Sequence, residues 1–238
     1  MHRRLPRSHR ATAVLIAALA AGAAACDRVE EAGPGAGPAG AVGEDDGTAP
    51  AALVPPARFP ALTGRALAAV EAAGEDWPTH GGAYSNQRYS TLSQIDRENV
   101  SRLAPAWVHQ TGVPAAFETT PLVVGNTMYL TTPESRVLAL NAATGRKLWE
   151  FVPEMEEAVI CCGPANRGVA AYGERVFVGT LDARLFALDH RSGEIEWETT
   201  VAEAEDGYSI TMAPLAYDGK VLVGVSGGEY GIRGFVAA

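Results

Sequence analysis

The sequence has few of the residues that build several common kinds of functional site. Its three cysteines and five histidines show no zinc-ligand spacing, and no haem-attachment motif, phosphate loop or nucleophile elbow occurs. Aromatic residues make up only 7% of the chain. Glycine and valine are plentiful, which favours strands and turns over a coiled coil. These absences argue against a histidine-based metal site and direct attention to β structure.

Positive charge is also scarce, because 19 lysines and arginines face 28 acidic residues. Four of the arginines lie within residues 1–25, which contain no acidic residue. Removal of that segment would lower the net charge from −9 to −13. An acidic chain without a basic stripe is a poor match for a phosphate backbone, so we expect no nucleic-acid partner.

A hydrophobic run long enough to cross a membrane is missing near the amino terminus. The apolar stretch from Ala11 to Ala25 has 15 residues, too few for a bilayer core of about 30 Å, and basic residues precede it. We therefore predict a signal peptide over residues 1–25 and a periplasmic protein. The small residues before Cys26 resemble a lipobox, although Ala23 stands where leucine is usual, and they predict a lipid anchor on Cys26. Ordinary signal cleavage, or pairing of Cys26 with another thiol, is the alternative.

The next segment has the composition of a tether. Residues 26–58 are rich in Gly, Pro and Ala and show no apolar period, so they cannot offset the entropy cost of ordering. A short helix is predicted over residues 63–73, ended by Gly74. Residues 59–238 are then the candidate folded domain.

An internal repeat dominates that domain. Residues 123–151 realign without gaps on residues 171–199, and a third copy begins at Tyr217. Each unit has alternating strands separated by polar turns and a final strand that carries tryptophan. Antiparallel units of 40 to 50 residues are typical of β-propeller blades, so the sequence predicts an all-β propeller with about three blades in this chain. The matched positions include Gly145 with Gly193 and Trp149 with Trp197.

Cys161 and Cys162 break the repeat within the stretch CCGPANRG. Consecutive Cα atoms lie about 3.8 Å apart, below the usual spacing of roughly 4.4–6.8 Å for bridged cysteines. A disulfide here would close a strained eight-membered ring, and the alternative is two buried thiols in a tight turn. Arg167 lies in the same loop, where it is either functional or an ordinary surface arginine.

Two further stretches interrupt the repeat. In SGGEYGIRG, which begins at Ser226, Gly227 and Gly228 would let the backbone approach a flat ligand, and Glu229 offers a hard oxygen donor suited to Ca²⁺. A simple turn is the alternative. Glu118, in FETTP, comes just before the first repeat, where the chain would reach a propeller's central channel.

Taken together, these stretches resemble one family. DWPTHGGAYSNQRYSTLSQIDRENVSRLAPAW, FETTP, CCGPANRG, ITMAP and SGGEYGIRG, in that order across residues 76–238, are similar to the amino-terminal third to half of the methanol and alcohol dehydrogenases that depend on pyrroloquinoline quinone (PQQ). The tryptophan repeat resembles the docking motif of the same quinoproteins, in which each tryptophan packs between neighbouring blades. The resemblance implies an eight-bladed propeller in the complete family.

The resemblance also implies a site. In the family, PQQ lies between a disulfide of adjacent cysteines and a tryptophan, a small alcohol gives hydride to the quinone, and a cytochrome c accepts the electrons. Gly228 departs from the family, which commonly has alanine there. The implied metal is Ca²⁺ or a lanthanide, with Glu229 as ligand. The implied cofactor-binding residues are Glu118, Cys161, Cys162, Arg167, Thr211, Ser226, Gly227 and Gly228.

Some parts of the family site find no match in the sequence. The catalytic aspartate, the remaining metal ligands and the tryptophan on the opposite face have no counterpart here, so we expect no catalytic residue in this chain and no activity from it alone. We also expect exposed strand edges that favour aggregation. A propeller scaffold resembling the outer-membrane assembly lipoproteins, or a carbohydrate-binding propeller, is the alternative, but neither explains the cysteine pair.

Overall fold

The computed structural model describes residues 76–238, and within them the chain forms antiparallel sheets. The predicted signal peptide, the Cys26 anchor, the tether and the helix at 63–73 lie outside the described residues. The first sheet contains β1 (Leu122–Val124), β2 (Thr127–Thr131), β3 (Val137–Asn141) and β4 (Lys147–Phe151). The second contains β5 (Ala170–Tyr172), β6 (Arg175–Gly179), β7 (Arg184–Asp189) and β8 (Ile195–Thr200). The third contains β9 (Leu215–Tyr217), β10 (Lys220–Gly224) and β11 (Val236–Ala237).

Helical structure in this part of the chain is confined to single 3₁₀ turns. They cover Val100–Arg102, Pro133–Ser135, Ala204–Asp206 and Gly228–Tyr230. None of the helices in the described part has the length and apolar character that a bilayer-spanning segment requires. The prediction of an all-β fold is therefore confirmed.

The first two sheets are copies of one unit. Both run as meanders in which each strand pairs with the next along the chain. Both also carry a register shift at the same point of the third strand, between Ala139 and Leu140 and between Ala187 and Leu188. These positions are 48 residues apart in the sequence, so the predicted repeat is confirmed down to its irregularities.

The core lies between successive sheets because side chains alternate along each strand. In β6, Val176 and Val178 belong to a buried cluster shared with the first sheet, which includes Tyr129. Phe177, between them, belongs to a second cluster shared with the third sheet, which includes Val223. Strands β5 to β7 of the second sheet thus bury side chains on both faces, as a blade inside a propeller must, whereas β8 is exposed along its length.

Tryptophans join each unit to the next. The Nε1 of Trp149 donates to the carbonyl of His190 at 3.1 Å, and its ring lies over Gly193, where a Cβ would come within 2.6 Å of the ring. Trp149 is only 8% exposed. Trp107 repeats the contact one unit earlier, with Nε1 donating to the carbonyl of Ala142 at 3.0 Å. The predicted docking role of Trp149 is confirmed, and Trp107 is a docking tryptophan that the repeat alignment did not identify.

Trp197 differs from this pattern. Its side chain is 38% exposed and contacts Phe177 of its own sheet, with ring centroids 5.8 Å apart. Within residues 76–238 it does not pack between two sheets, so the prediction made for it from the repeat is not met there. Trp107 and Trp149 pack on Gly145 and Gly193 of the following unit, whereas no glycine of residues 76–238 packs on Trp197 in this way.

Candidate functional site

A pocket of about 180 Å³ brings together residues from several of the predicted motifs. The motifs are distant in sequence, but the pocket gathers segments that lead into the first strand of each sheet, the turn between β6 and β7, and the segment that follows β10. Ile160 and Leu181 add apolar side chains to its wall. The predicted site residues that line it are Glu118, Cys161, Cys162, Arg167, Thr211, Ser226 and Glu229.

One wall of the pocket is the cysteine pair. Cys161 and Cys162 are joined by a disulfide, with Cα atoms 3.8 Å apart, and both residues are exposed. The alternative of two buried thiols is therefore wrong on both counts. A disulfide lacks N–H and O–H donors, so this wall offers a polarisable surface rather than hydrogen bonds.

A row of hydrogen-bonded side chains, called here the Arg167 row, forms the polar rim; its members are Glu118, Arg167, Thr211 and Ser226. The Nη2 of Arg167 pairs with Oε2 of Glu118 at 2.8 Å, and its Nη1 donates to Oγ1 of Thr211 at 2.8 Å. That hydroxyl lies 2.8 Å from Oγ of Ser226. Arg167 and Glu118 remain 47% and 43% exposed, so a ligand can reach the guanidinium. The rim therefore presents the Glu118 carboxylate together with a guanidinium and two hydroxyl groups, and the last two kinds of group are suitable partners for a carboxylate of a ligand.

The backbone places these side chains by joining neighbouring sheets. The amide of Thr120 donates to the carbonyl of Arg167 at 3.1 Å, and the amide of Arg167 donates to the carbonyl of Thr211 at 2.9 Å. Ser209 and Ser226 exchange amide-to-carbonyl bonds of 3.1 and 2.7 Å. Segments that lead into β1, β5 and β9 are thus linked side by side, and their side chains share one pocket.

Asn166 is a structural residue of the site that sequence reasoning missed. It is 2% exposed, and its Nδ2 donates to the carbonyl of Gly179 at 2.8 Å and to Oγ of Ser135 at 3.2 Å. Its Oδ1 accepts from the amide of Gly168 at 3.1 Å. A buried amide must satisfy its donors and acceptors, so Asn166 fixes the loop behind Arg167. Its place beside Arg167 in CCGPANRG was the available signal.

Gly227 and Gly228 do not line the pocket. Gly227 has φ of +122°, and a Cβ there would collide with the carbonyl oxygen of Gly207. Glycine at 227 is therefore required by the close packing of backbone on backbone. A Cβ on Gly228 would meet nothing within 4 Å, so alanine at this position would be accommodated.

Glu229 lies at the rim, on the exposed turn Gly228–Tyr230. Residues 76–238 contain no group of three or more His, Cys, Asp or Glu side chains that could hold a metal ion. Glu229 therefore fits the role of one oxygen ligand, while the described residues do not complete a metal site. Its role, like that of the other predicted site residues, stays a prediction.

Stacked four-stranded units, tryptophan docking and a disulfide of adjacent cysteines define the class of β-propeller quinoproteins. The profile of the PQQ glucose/ethanol/alcohol dehydrogenase β-propeller domain matches residues 77–230. The chain belongs to this family.

Individual relatives agree with that assignment. The quinohemoprotein alcohol dehydrogenase ADH IIB of Pseudomonas putida is 44% identical over 176 residues, which are 73% of this chain and 26% of that protein. The 1-butanol dehydrogenase (cytochrome c) of Thauera butanivorans is 42% identical over 70% of this chain and 25% of its own length. A europium-containing methanol dehydrogenase superposes with a TM-score of 0.68 at 40% identity, covering 72% of this chain and 31% of that one. The chain spans about a quarter of the length of the curated relatives that it matches.

Proposed function

We propose that this chain forms part of a dehydrogenase that oxidises small alcohols with PQQ as cofactor. The observation that carries the proposal is the convergence of the Cys161–Cys162 disulfide, the Arg167 row and Glu229 on one pocket. A scaffold propeller has no use for an exposed disulfide beside an arginine and two hydroxyl groups. The family membership of the chain supports the same reading.

The residues present fit a flat ligand that carries carboxylates. The disulfide would cover one face of the ring system, where a surface without hydrogen-bond donors is suitable. Arg167 would bind a carboxylate through the N–H groups that its contacts with Glu118 and Thr211 leave over, and those contacts would hold the guanidinium in place. Thr211 and Ser226 would orient the rim of the ligand through their hydroxyl groups. When bound, PQQ supplies a quinone that accepts hydride from the alcohol carbon.

Glu229 would contribute one carboxylate to Ca²⁺ or a lanthanide, and the name of the europium-containing relative is consistent with the second choice. We propose that the other metal ligands and the catalytic aspartate come from outside residues 76–238. The 238-residue chain would then be inactive by itself.

We further propose a periplasmic location, with export directed by residues 1–25 and a lipid anchor at Cys26. Electrons would pass to a cytochrome c, a partner that the name of the Thauera butanivorans relative supports. These assignments rest on the sequence patterns and on the relatives, since the residues concerned lie outside the described part of the chain.

The test is dye reduction by the complete dehydrogenase loaded with PQQ and Ca²⁺. A double variant, Cys161→Ala with Cys162→Ala, removes the disulfide wall at little change in volume. We expect PQQ-dependent dye reduction to fall strongly while the far-ultraviolet circular dichroism stays that of the folded propeller. Glu196→Gln, which removes an exposed ion pair with Arg175 on the second sheet, is the control and should keep full activity. Unchanged dye reduction in the double variant would overturn the assignment of the disulfide as a wall of the cofactor site, and a complete protein that shows no PQQ-dependent dye reduction would overturn the proposed function.

A further inference from the structure

A buried ion pair lies at the turn between β6 and β7, next to the pocket. The side chain of Asp182 is fully buried, and that of Arg184 is 13% exposed. The Nη2 and Nε of Arg184 lie 2.7 and 2.9 Å from Oδ2 of Asp182. Oγ1 of Thr180 donates to the other carboxylate oxygen. Leu181, inside the same turn, lines the pocket together with the disulfide.

The pair also binds the backbone of another segment. Oδ2 of Asp182 accepts from the amide of Glu156 at 3.0 Å, and Nη2 of Arg184 donates to the carbonyl of Glu154. Both residues belong to the stretch between β4 and the cysteine pair. The buried charges of the second sheet therefore hold the chain that approaches the disulfide from the first sheet.

A second anchor follows the disulfide. The amide of Glu134 donates to the carbonyl of Pro164 at 2.9 Å, and Asn166 binds Gly179 and Ser135 as described above. Between the two anchors, Val159 and Ile160 are 44% and 39% exposed. With so little packing in between, the position of the disulfide depends on the two ends of its loop.

The charged state of the pair is well supported. Burial by itself raises the pKa of Asp182, but hydrogen bonds from Arg184, Thr180 and the Glu156 amide outweigh it, and the pKa lies below its ordinary value. A buried ion pair contributes little net stability compared with an apolar pair of the same size. Its distinctive effect here is geometric, because the two side chains bind each other and each also binds the backbone of residues 154–156.

We propose that Asp182 and Arg184 are positioning residues that hold residues 154–156 and thereby fix the Cys161–Cys162 disulfide as a wall of the pocket. The consequence for PQQ binding rests on the function proposed above. The positioning itself does not, because it is a property of the loop that can be measured without cofactor.

The primary measurement is the rate at which dithiothreitol opens the disulfide in the folded, cofactor-free chain, read by alkylation of both cysteines and mass spectrometry. Asp182→Asn removes the charge and leaves a single acceptor oxygen, which cannot accept from Arg184, Glu156 and Thr180 as the two carboxylate oxygens do. We expect reduction to be accelerated at least tenfold. Arg184→Lys keeps the charge but cannot reach both Asp182 and Glu154, and it should give an intermediate rate. Glu196→Gln should leave the rate unchanged.

A variant that is merely less stable could also show faster reduction of the disulfide. Gly173→Ala therefore serves as a second control. Gly173 has φ of +64° at the far end of the second sheet, and its substitution introduces strain away from the loop. It should lower the melting temperature without accelerating reduction of the disulfide. The same variants are then titrated with PQQ in the complete dehydrogenase, where Asp182→Asn should weaken binding about tenfold.

The outcomes separate the two proposals. A wild-type rate of reduction in folded Asp182→Asn overturns the positioning role, whatever the affinity for PQQ. If Asp182→Asn does not fold, Arg184→Lys decides, and a wild-type rate in that variant overturns the role. Faster reduction in a protein whose parent binds no PQQ supports the positioning role and rejects the proposed cofactor.

Discussion

Docking of Trp149 on Gly193 makes a prediction that can be worked from the structure. Gly193 has φ of +75°, and a Cβ there would lie 2.6 Å from the ring of Trp149. Gly173, in the same sheet, has φ of +64°, and a Cβ there would meet nothing within 4 Å. The two glycines therefore share one source of strain and differ in the second, which makes Gly173→Ala a matched control for Gly193→Ala.

The expected losses in the free energy of unfolding follow from these two sources of strain, the left-handed backbone and the contact with the Trp149 ring. An L-residue in the left-handed region costs about 1–2 kcal/mol, and this applies to both variants. Overpacking adds roughly 1–3 kcal/mol only where the new methyl group meets the tryptophan ring. Gly193→Ala should therefore be less stable than Gly173→Ala by about 1–3 kcal/mol, and each kcal/mol corresponds to about 2–4 °C in melting temperature for a chain of this size.

The assay is urea unfolding of the 238-residue chain, followed by tryptophan fluorescence and by far-ultraviolet circular dichroism. Agreement between the two signals would establish a single transition and allow the free energies of unfolding to be compared. Equal destabilisation by the two substitutions would refute the reasoning, because the contact with Trp149 would then have no energetic effect.

Three further predictions concern named contacts. Trp149→Phe loses the hydrogen bond to His190, worth about 0.5–1.5 kcal/mol, and also part of the buried indole ring, so the free energy of unfolding measured in urea should fall by at least that amount; no loss would contradict the contact. The pKa of Asp182 lies below its ordinary value of 3.8, so its carboxylate stabilises the fold above that pH and stops doing so as the pH falls through the lowered value. Asp182→Asn should flatten the acid limb of a plot of melting temperature against pH, and an unchanged limb would count against the pair. Arg167→Lys keeps the charge but cannot pair with both Glu118 and Thr211, so in the complete dehydrogenase the dissociation constant for PQQ should rise about tenfold, whereas an unaltered constant would exclude the guanidinium from the site.

Much of the fold was predictable because it repeats. A gapless match of two units, with a tryptophan at the end of each, predicts strands, turns and docking contacts without knowledge of the structure. The repeat alignment did not identify Trp107, because the stretch LAPAW, which ends at Trp107, lacks the polar turn and the glycine of the repeat. Trp107 docks as Trp149 does, but it does not lie at the end of a strand of the repeat, which is the feature that marks Trp149 in the sequence.

Less of the candidate site than of the fold was predictable from the repeat. Alternation and repeat length place no residue of one sheet against a residue of another, so the gathering of Glu118, Arg167 and Thr211 followed from the family resemblance and not from periodicity. Asp182 and Asn166 were missed because each looks like an ordinary turn residue in sequence. Their partners lie in other segments of the chain, and only the structure shows that both are buried.

The central claim is that the Cys161–Cys162 disulfide and the Arg167 row form part of a PQQ site. The most direct measurement is the affinity of the complete dehydrogenase for PQQ, determined by titration with the disulfide intact and again after selective reduction and alkylation. A Cys26→Ser background restricts alkylation within this chain to the pair, since the sequence has three cysteines. The account predicts at least a tenfold loss of affinity when the disulfide is opened, and equal affinities in the two states would contradict it.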